Sequence, residues 1–187
     1  MESGCITVSR AARQAEFPAK FQLIAAMNPC PCGYYGDSSG KCNCSEEKVA
    51  RYKNKISGPL LDRIDIHIEV PRVKNFSQAI SQQETETSET IRKRVSLCRQ
   101  RQINRGGNCN AQMSVQQIED FCELDDSTYH FLIGSLEKLN LSNRAFHRVL
   151  KVARTIADLR DSEKIEIPDL AEAITYRRMD RDSPKSI

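Results

Sequence analysis

The sequence predicts an α/β segment followed by an all-α bundle. Three observations carry this. Phe21–Met27 (FQLIAAM) is an almost unbroken apolar run ending at Asn28-Pro29, and Ile64–Val70 (IDIHIEV) alternates strictly. A short apolar run bounded by turn residues reads as a strand buried on both faces, and strict alternation as a half-buried strand. Beyond the polar stretch 77–90 every apolar spacing is helical. The resulting division is 1–76, a linker at 77–90, and 91–187.

Taken in order, Ile6–Ser9 and the segment around Phe17 flank Arg10-Ala11-Ala12-Arg13, which predicts a hairpin with a basic tip. The Phe21–Met27 strand follows. Pro29 to Cys44, with its prolines and Gly33, Gly36 and Gly40, is loop. Ser45 caps a helix through about Lys55, with Val49, Tyr52 and Ile56 on one face. Gly58-Pro59 breaks it, and Pro59 opens a short helix to Asp62. The Ile64–Val70 strand ends at Pro71.

The linker carries Glu84, Glu86 and Glu89. Ile91–Arg105 then holds six basic residues and no acidic one. Ser114 and Gln117 form a capping box, and Asp126 caps the next helix. Ser142 caps the most strongly patterned helix, with the stripe Phe146, Val149, Leu150, Ala153, Ile156 and Ala157 opposite Arg144, Arg148 and Lys151. Pro168 stands in the first turn of a last helix ending near Arg178.

The chain has 187 residues, 28 Lys+Arg against 25 Asp+Glu, and a net charge of +3, too small to mark a DNA-coating protein. No apolar run reaches the roughly 18 residues of a membrane span. The N-terminus lacks a charged head followed by an apolar stretch, so the expectation is a cytoplasmic protein with no membrane partner.

Among the eight cysteines, Cys30, Cys32, Cys42 and Cys44 lie within fifteen positions. Four thiolates on a glycine-rich loop can close tetrahedrally round Zn2+, as a structural staple with no open position for catalysis. Four reduced cysteines in a loose loop is the alternative. Gly36 to Lys41 mimics a phosphate-binding loop, but its glycines are one residue too close and Cys42 replaces the required Ser or Thr. No apolar strand ends in two acidic residues that could hold magnesium, so no nucleotide site is visible in the residues alone.

Arg63, between a short helix and a strand, can reach an anion or pair with Asp62 or Asp65. Asn28 closes a buried strand, where α/β proteins place ligand contacts, or is a turn residue before Pro29. His67 falls on the polar face of its strand with Asp65 and Glu69, which reads as solvated. Arg92, Lys93, Arg94, Arg99, Arg101, Arg105, Arg144, Arg148, Lys151 and Arg154 suit a phosphate backbone or a solvated face. Arg144 also stands at a helix N-terminus, which favours anions.

FPAKFQLIAAMNPCPCGYYGD (17–37), KISGPLLDRIDIHIEVPRV (55–73), LSNRAFHRVLKVARTIADL (141–159), NAQMS (110–114) and YRRMDR (176–181) resemble the ComM/YifB family of magnesium-chelatase-like AAA+ ATPases. The resemblance covers the C-terminal part of such a protein. It implies the end of an AAA+ P-loop core, with a hairpin and about two sheet strands, then a helical lid. In the family the Walker A and Walker B motifs lie upstream, so this chain is expected to hydrolyse no ATP alone. Asn28 matches sensor 1, Arg63 the arginine finger and Arg144 sensor 2; ATP and Mg2+ are the implied cofactors. The hairpin matches one that faces a ring pore, with Arg10 and Arg13 toward DNA, and the cysteines match a cysteine-rich insert. The implied activity is a hexameric motor driving branch migration in natural transformation. A magnesium-chelatase motor subunit and a non-catalytic remnant that only binds DNA or a partner are the alternatives.

Overall fold

A computed structural model describes residues 4–10, 13–70 and 86–177, without the side chains of Arg10 and Asn143. The chain forms two compact units, Met1–Ile64 and Asp65–Ile187.

In the first unit β1 (Cys5–Arg10) and β2 (Arg13–Pro18) pair antiparallel, from Cys5 opposite Pro18 to Arg10 opposite Arg13. This is the hairpin the sequence predicts; Ala11 and Ala12 of its tip lie outside the described residues. Helix α1 spans Glu46–Lys53, and Ser45 Oγ accepts the Lys48 N–H at 3.4 Å. Val49 is its buried residue. Helix α2 is the single turn Gly58–Leu61 with proline near its start.

The two predicted strands are not formed. Among the described residues the only sheet is the hairpin, and neither Phe21–Met27 nor Ile64–Val70 joins a ladder. A strand is made by hydrogen-bonded neighbours, and an apolar run alone supplies none. Ile24 is 84% exposed and Val70 85%. The polar face of the second segment is the engaged one. Asp65 pairs with Arg148 at 2.7 Å, and the amide of His67, a buried residue, donates to the Tyr176 carbonyl at 2.9 Å. The solvated setting expected for His67 is therefore corrected, while Asp65 and Glu69 of the same face are exposed.

The second unit is helical: α3 (Ser88–Gly106), a 3-10 turn (Asn110–Gln112), α4 (Val115–Phe121), α5 (Asp126–Lys138), α6 (Asn143–Leu159) and α7 (Ile167–Thr175). Thr87 caps α3, so residues 88–90 of the expected linker are its first turn; residues 77–85 lie outside the described residues. The Ser114–Gln117 capping box is present. Asp125, one residue before the expected cap, accepts the Thr128 N–H at 2.8 Å. Ser142 holds the N-cap position of α6 without a side-chain bond. Glu166 and Asp169 form a second capping box around Pro168.

Helix α6 is the spine. Val149, Ala153 and Ala157 are fully buried, and with Leu132 of α5 and Leu170 of α7 they centre one continuous core. The alanines let neighbouring helices approach closely, and the larger residues fill the space between.

One polar knot is enclosed beside that core. The buried Asp158 carboxylate accepts from Arg105, from Asn110 Nδ2 at 2.8 Å and from Arg154 Nε at 3.2 Å. Its carbonyl accepts Arg101 Nη1 at 2.8 Å. Arg154, also buried, donates to the carbonyls of Ser162 and Glu163. Asn110 is held in turn by Gln102, whose Oε1 accepts the Asn110 N–H at 3.0 Å.

Asp158→Asn would leave Arg105 and Arg154 without their anion, which costs about 3–5 kcal/mol for a buried pair. Denaturant unfolding of the two proteins measures the loss; breaking the exposed Glu86–Arg94 pair with Glu86→Gln should leave stability nearly unchanged. The Thr128 hydroxyl, then the Thr128 N–H and the Ser127 hydroxyl, hold the Asp125 carboxyl down to about 2. A depressed carboxyl stabilises above its unfolded value of about 4 and loses that contribution as pH falls toward 2. Acidification from pH 5 to pH 2 should thus cost the wild type more than Asp125→Asn, which caps without titrating.

Candidate metal centre

Three consecutive turns fold the cysteine loop. The Gly33 N–H donates to the Cys30 carbonyl at 3.0 Å, the Asp37 N–H to Tyr34 at 3.1 Å and the Gly40 N–H to Asp37 at 3.4 Å. Gly33 and Gly36 both have φ of 80°, where a side chain is strained. Asp37 Oδ1 accepts the Ser39 N–H at 2.7 Å and tightens the tip. Cys44 directly precedes Ser45, so the loop runs straight into the cap of α1.

These turns bring the four sulfurs together. Cys30 Sγ stands 3.3 Å from Cys32 Sγ and 3.9 Å from Cys42 Sγ, and Cys32 Sγ is 3.6 Å from Cys42 Sγ. All four sulfurs, Cys44 included, lie within 4.8 Å of one another. Four sulfurs at about 2.3 Å from one zinc stand about 3.8 Å apart, so the donor set fits a tetrahedral ion.

The electrostatics are those of thiols sharing charge. Burial pushes Cys30 up, but the bond with Cys32 Sγ and the backbone N–H groups of Tyr35, Cys32 and Tyr34 prevail and bring it to about 6. The Tyr34 N–H lowers Cys32. On the other arm a backbone bond at Cys44 lowers Cys42, yet burial and the Cys32 and Cys30 sulfurs outweigh it and push it up to about 11. Cys44 is raised as well: its backbone bond at Cys32 lowers it, and the Cys32 and Cys30 sulfurs with burial override that. The first arm is shifted toward thiolate and the second toward thiol; a cation among the four sulfurs would favour the thiolate of each and release the remaining protons.

The other expected residues stand in separate local settings. The Asn28 side chain lies over the first turn of the loop, 3.8 Å from where a Cβ on Gly33 would stand. Arg63 follows α2 and donates from Nη1 to the Pro59 carbonyl at 2.8 Å. Arg144 is exposed in the first turn of α6. Arg13 is exposed on β2, and the Arg10 side chain lies outside the described residues.

Much of the basic series is committed inside the fold. Beyond the Asp158 knot, Lys93 pairs with Glu89 at 2.9 Å and Arg101 with Asp161 at 2.5 Å. Lys151 Nζ donates to the Met113 carbonyl at 2.8 Å and to Ala111 at 3.2 Å. Arg92, Arg99 and Arg144 are exposed and form no ion pair among the described residues. The sequence missed the separation of structural from exposed cations in part because the anionic partners of Arg105 and Arg148 lie 53 and 83 residues away in the chain.

No helix among the described residues is long and apolar enough to cross a membrane. Residues 1–78 match the family described as magnesium chelatase, subunit ChlI, and residues 85–177 the family described as its C-terminal part. Over 97% of its length the chain is 46% identical to the competence protein ComM of Haemophilus influenzae. It is 41% identical to the protein YifB of Escherichia coli, again over 97% of its length, and 40% to that of Salmonella typhimurium. It belongs to the ComM/YifB-type magnesium-chelatase-like proteins, within the AAA+ family. The chain spans about 35% of the length of these relatives.

Proposed function

We propose that the chain is part of a hexameric, ATP-driven DNA motor and supplies residues that complete and sense its nucleotide site. The likeness to a competence protein over 97% of the chain supports this reading most. On it, residues 1–76 close an AAA+ core, and the helices from Ser88 onward form the lid.

Each role follows from a side chain's chemistry. Asn28, with one donor and one acceptor on a short stem, orients the water that attacks the γ-phosphate of ATP·Mg2+. Arg63 reaches the neighbouring subunit's nucleotide as an arginine finger and stabilises charge developing on the phosphoryl group, worth about 10³–10⁵ in rate in related systems. Arg144 contacts the phosphates from the start of α6, where the helix dipole also favours anions. Arg10 and Arg13 meet the DNA backbone at the hairpin tip.

Cys30, Cys32, Cys42 and Cys44 would hold structural Zn2+. The loop they span buries no side chain except Cys30, so packing alone gives it little reason to keep one shape. When bound, the ion supplies the cross-link that such a loop lacks. The family descriptions favour a second reading, the motor subunit of a magnesium chelatase; the identity to the competence protein favours the first.

Metal analysis of the reduced chain, purified without chelator, should find about one zinc per chain; a value near zero would leave the cysteines as ordinary thiols. In a full-length protein carrying this sequence, Arg63→Ala should abolish ATP hydrolysis while nucleotide binding survives. Equal loss of binding would give Arg63 a different role. The chain by itself should turn over no ATP.

A further inference from the structure

The four sulfurs are close to one another but unequally open to solvent. Cys30 is fully buried, Cys42 and Cys44 are half-buried, and Cys32 is exposed. A solute oxidant therefore meets Cys32 first. The buried Cys30 sulfur stands 3.3 Å from it, in contact, and Cys42 stands at 3.6 Å. Exposure and an adjacent second thiol are what mark a cysteine as a site of reversible oxidation.

We propose that Cys32 is a peroxide-modified residue, and that Cys30 resolves it into a Cys30–Cys32 disulfide that opens the metal knot. This rests on the reading of the loop as a zinc site. In the first step the Cys32 sulfur attacks one peroxide oxygen. An S–O bond forms, the O–O bond breaks, and hydroxide leaves. In the second the Cys30 thiolate attacks the Cys32 sulfur, the S–S bond forms, and the S–O bond breaks with loss of a second hydroxide. Two thiolates have given up two electrons, and one hydrogen peroxide has been reduced to two hydroxides, which take up protons as water.

Only Cys42 and Cys44 then remain as donors, too few to retain a structural ion. Apart from Cys30 the loop buries no side chain, and it turns at glycines, so rearrangement around the new bond meets little packing resistance. Reaction elsewhere is slower for physical reasons. Cys98 and Cys122 are buried, and that burial raises both thiols, Cys122 to about 11. Cys109 is half-buried and serves as the internal reference.

The test treats the reduced, zinc-loaded chain with hydrogen peroxide. It follows zinc release with a colorimetric chelator and maps disulfides by peptide mass spectrometry at matched times. Zinc should leave in step with a Cys30–Cys32 disulfide, before half of Cys109 is oxidised, and a dithiol reductant with added zinc should restore the starting state. The inference is overturned if all four thiols stay reduced once Cys109 is oxidised, or if Cys32 pairs elsewhere. Mapping is done on metal-free chain as well. A chain that binds no zinc yet forms Cys30–Cys32 would overturn the zinc reading and the release step while keeping Cys32 as the modified residue.

Discussion

The helical unit turns on one buried carboxylate. Asp158 is enclosed, and desolvating an unpaired charge costs several kcal/mol, so its position is tolerable only with cations and amides around it. Those partners come from α3, from the 3-10 turn and from α6 itself, and Arg154 carries the network on to the loop before α7. A core of leucines and alanines can slide with modest loss. A charge with several directional partners cannot, and it sets the register of α3 against α6.

The same knot changes the meaning of the charge pattern. A series of arginines and lysines along α3 and α6 has the look of a phosphate-binding face. Arg105 and Arg154 instead neutralise Asp158, Lys151 closes the carbonyl ends of the 3-10 turn, and Arg148 holds Asp65. What is left for an anionic partner is a smaller set, Arg92, Arg99 and Arg144 among the described residues.

The cysteine loop obeys a different logic. It has almost no buried side chains, so its order comes from turns and from whatever joins its sulfurs. Gly33 and Gly36 supply conformations that bring two C-x-C pairs face to face, and the first of these turns also backs Asn28.

The parts of the molecule determined by neighbouring residues were legible in the sequence. Ser45, the Ser114–Gln117 box, the prolines near the starts of α2 and α7, the α6 stripe and the convergence of Cys30, Cys32, Cys42 and Cys44 each depend on bonds within a few positions. The choice of Asp125 over Asp126 was not, since adjacent aspartates offer the same acceptor and the incoming chain selects between them. Only the tertiary structure decided the fate of Phe21–Met27 and Ile64–Val70. Their apolar patterns ask for a sheet, but a strand needs partners to hydrogen-bond, and the described residues supply them to the hairpin alone. It also decided which cations are structural, because an arginine's partner can lie anywhere in the chain and burial, not spacing, determines whether the pair must form.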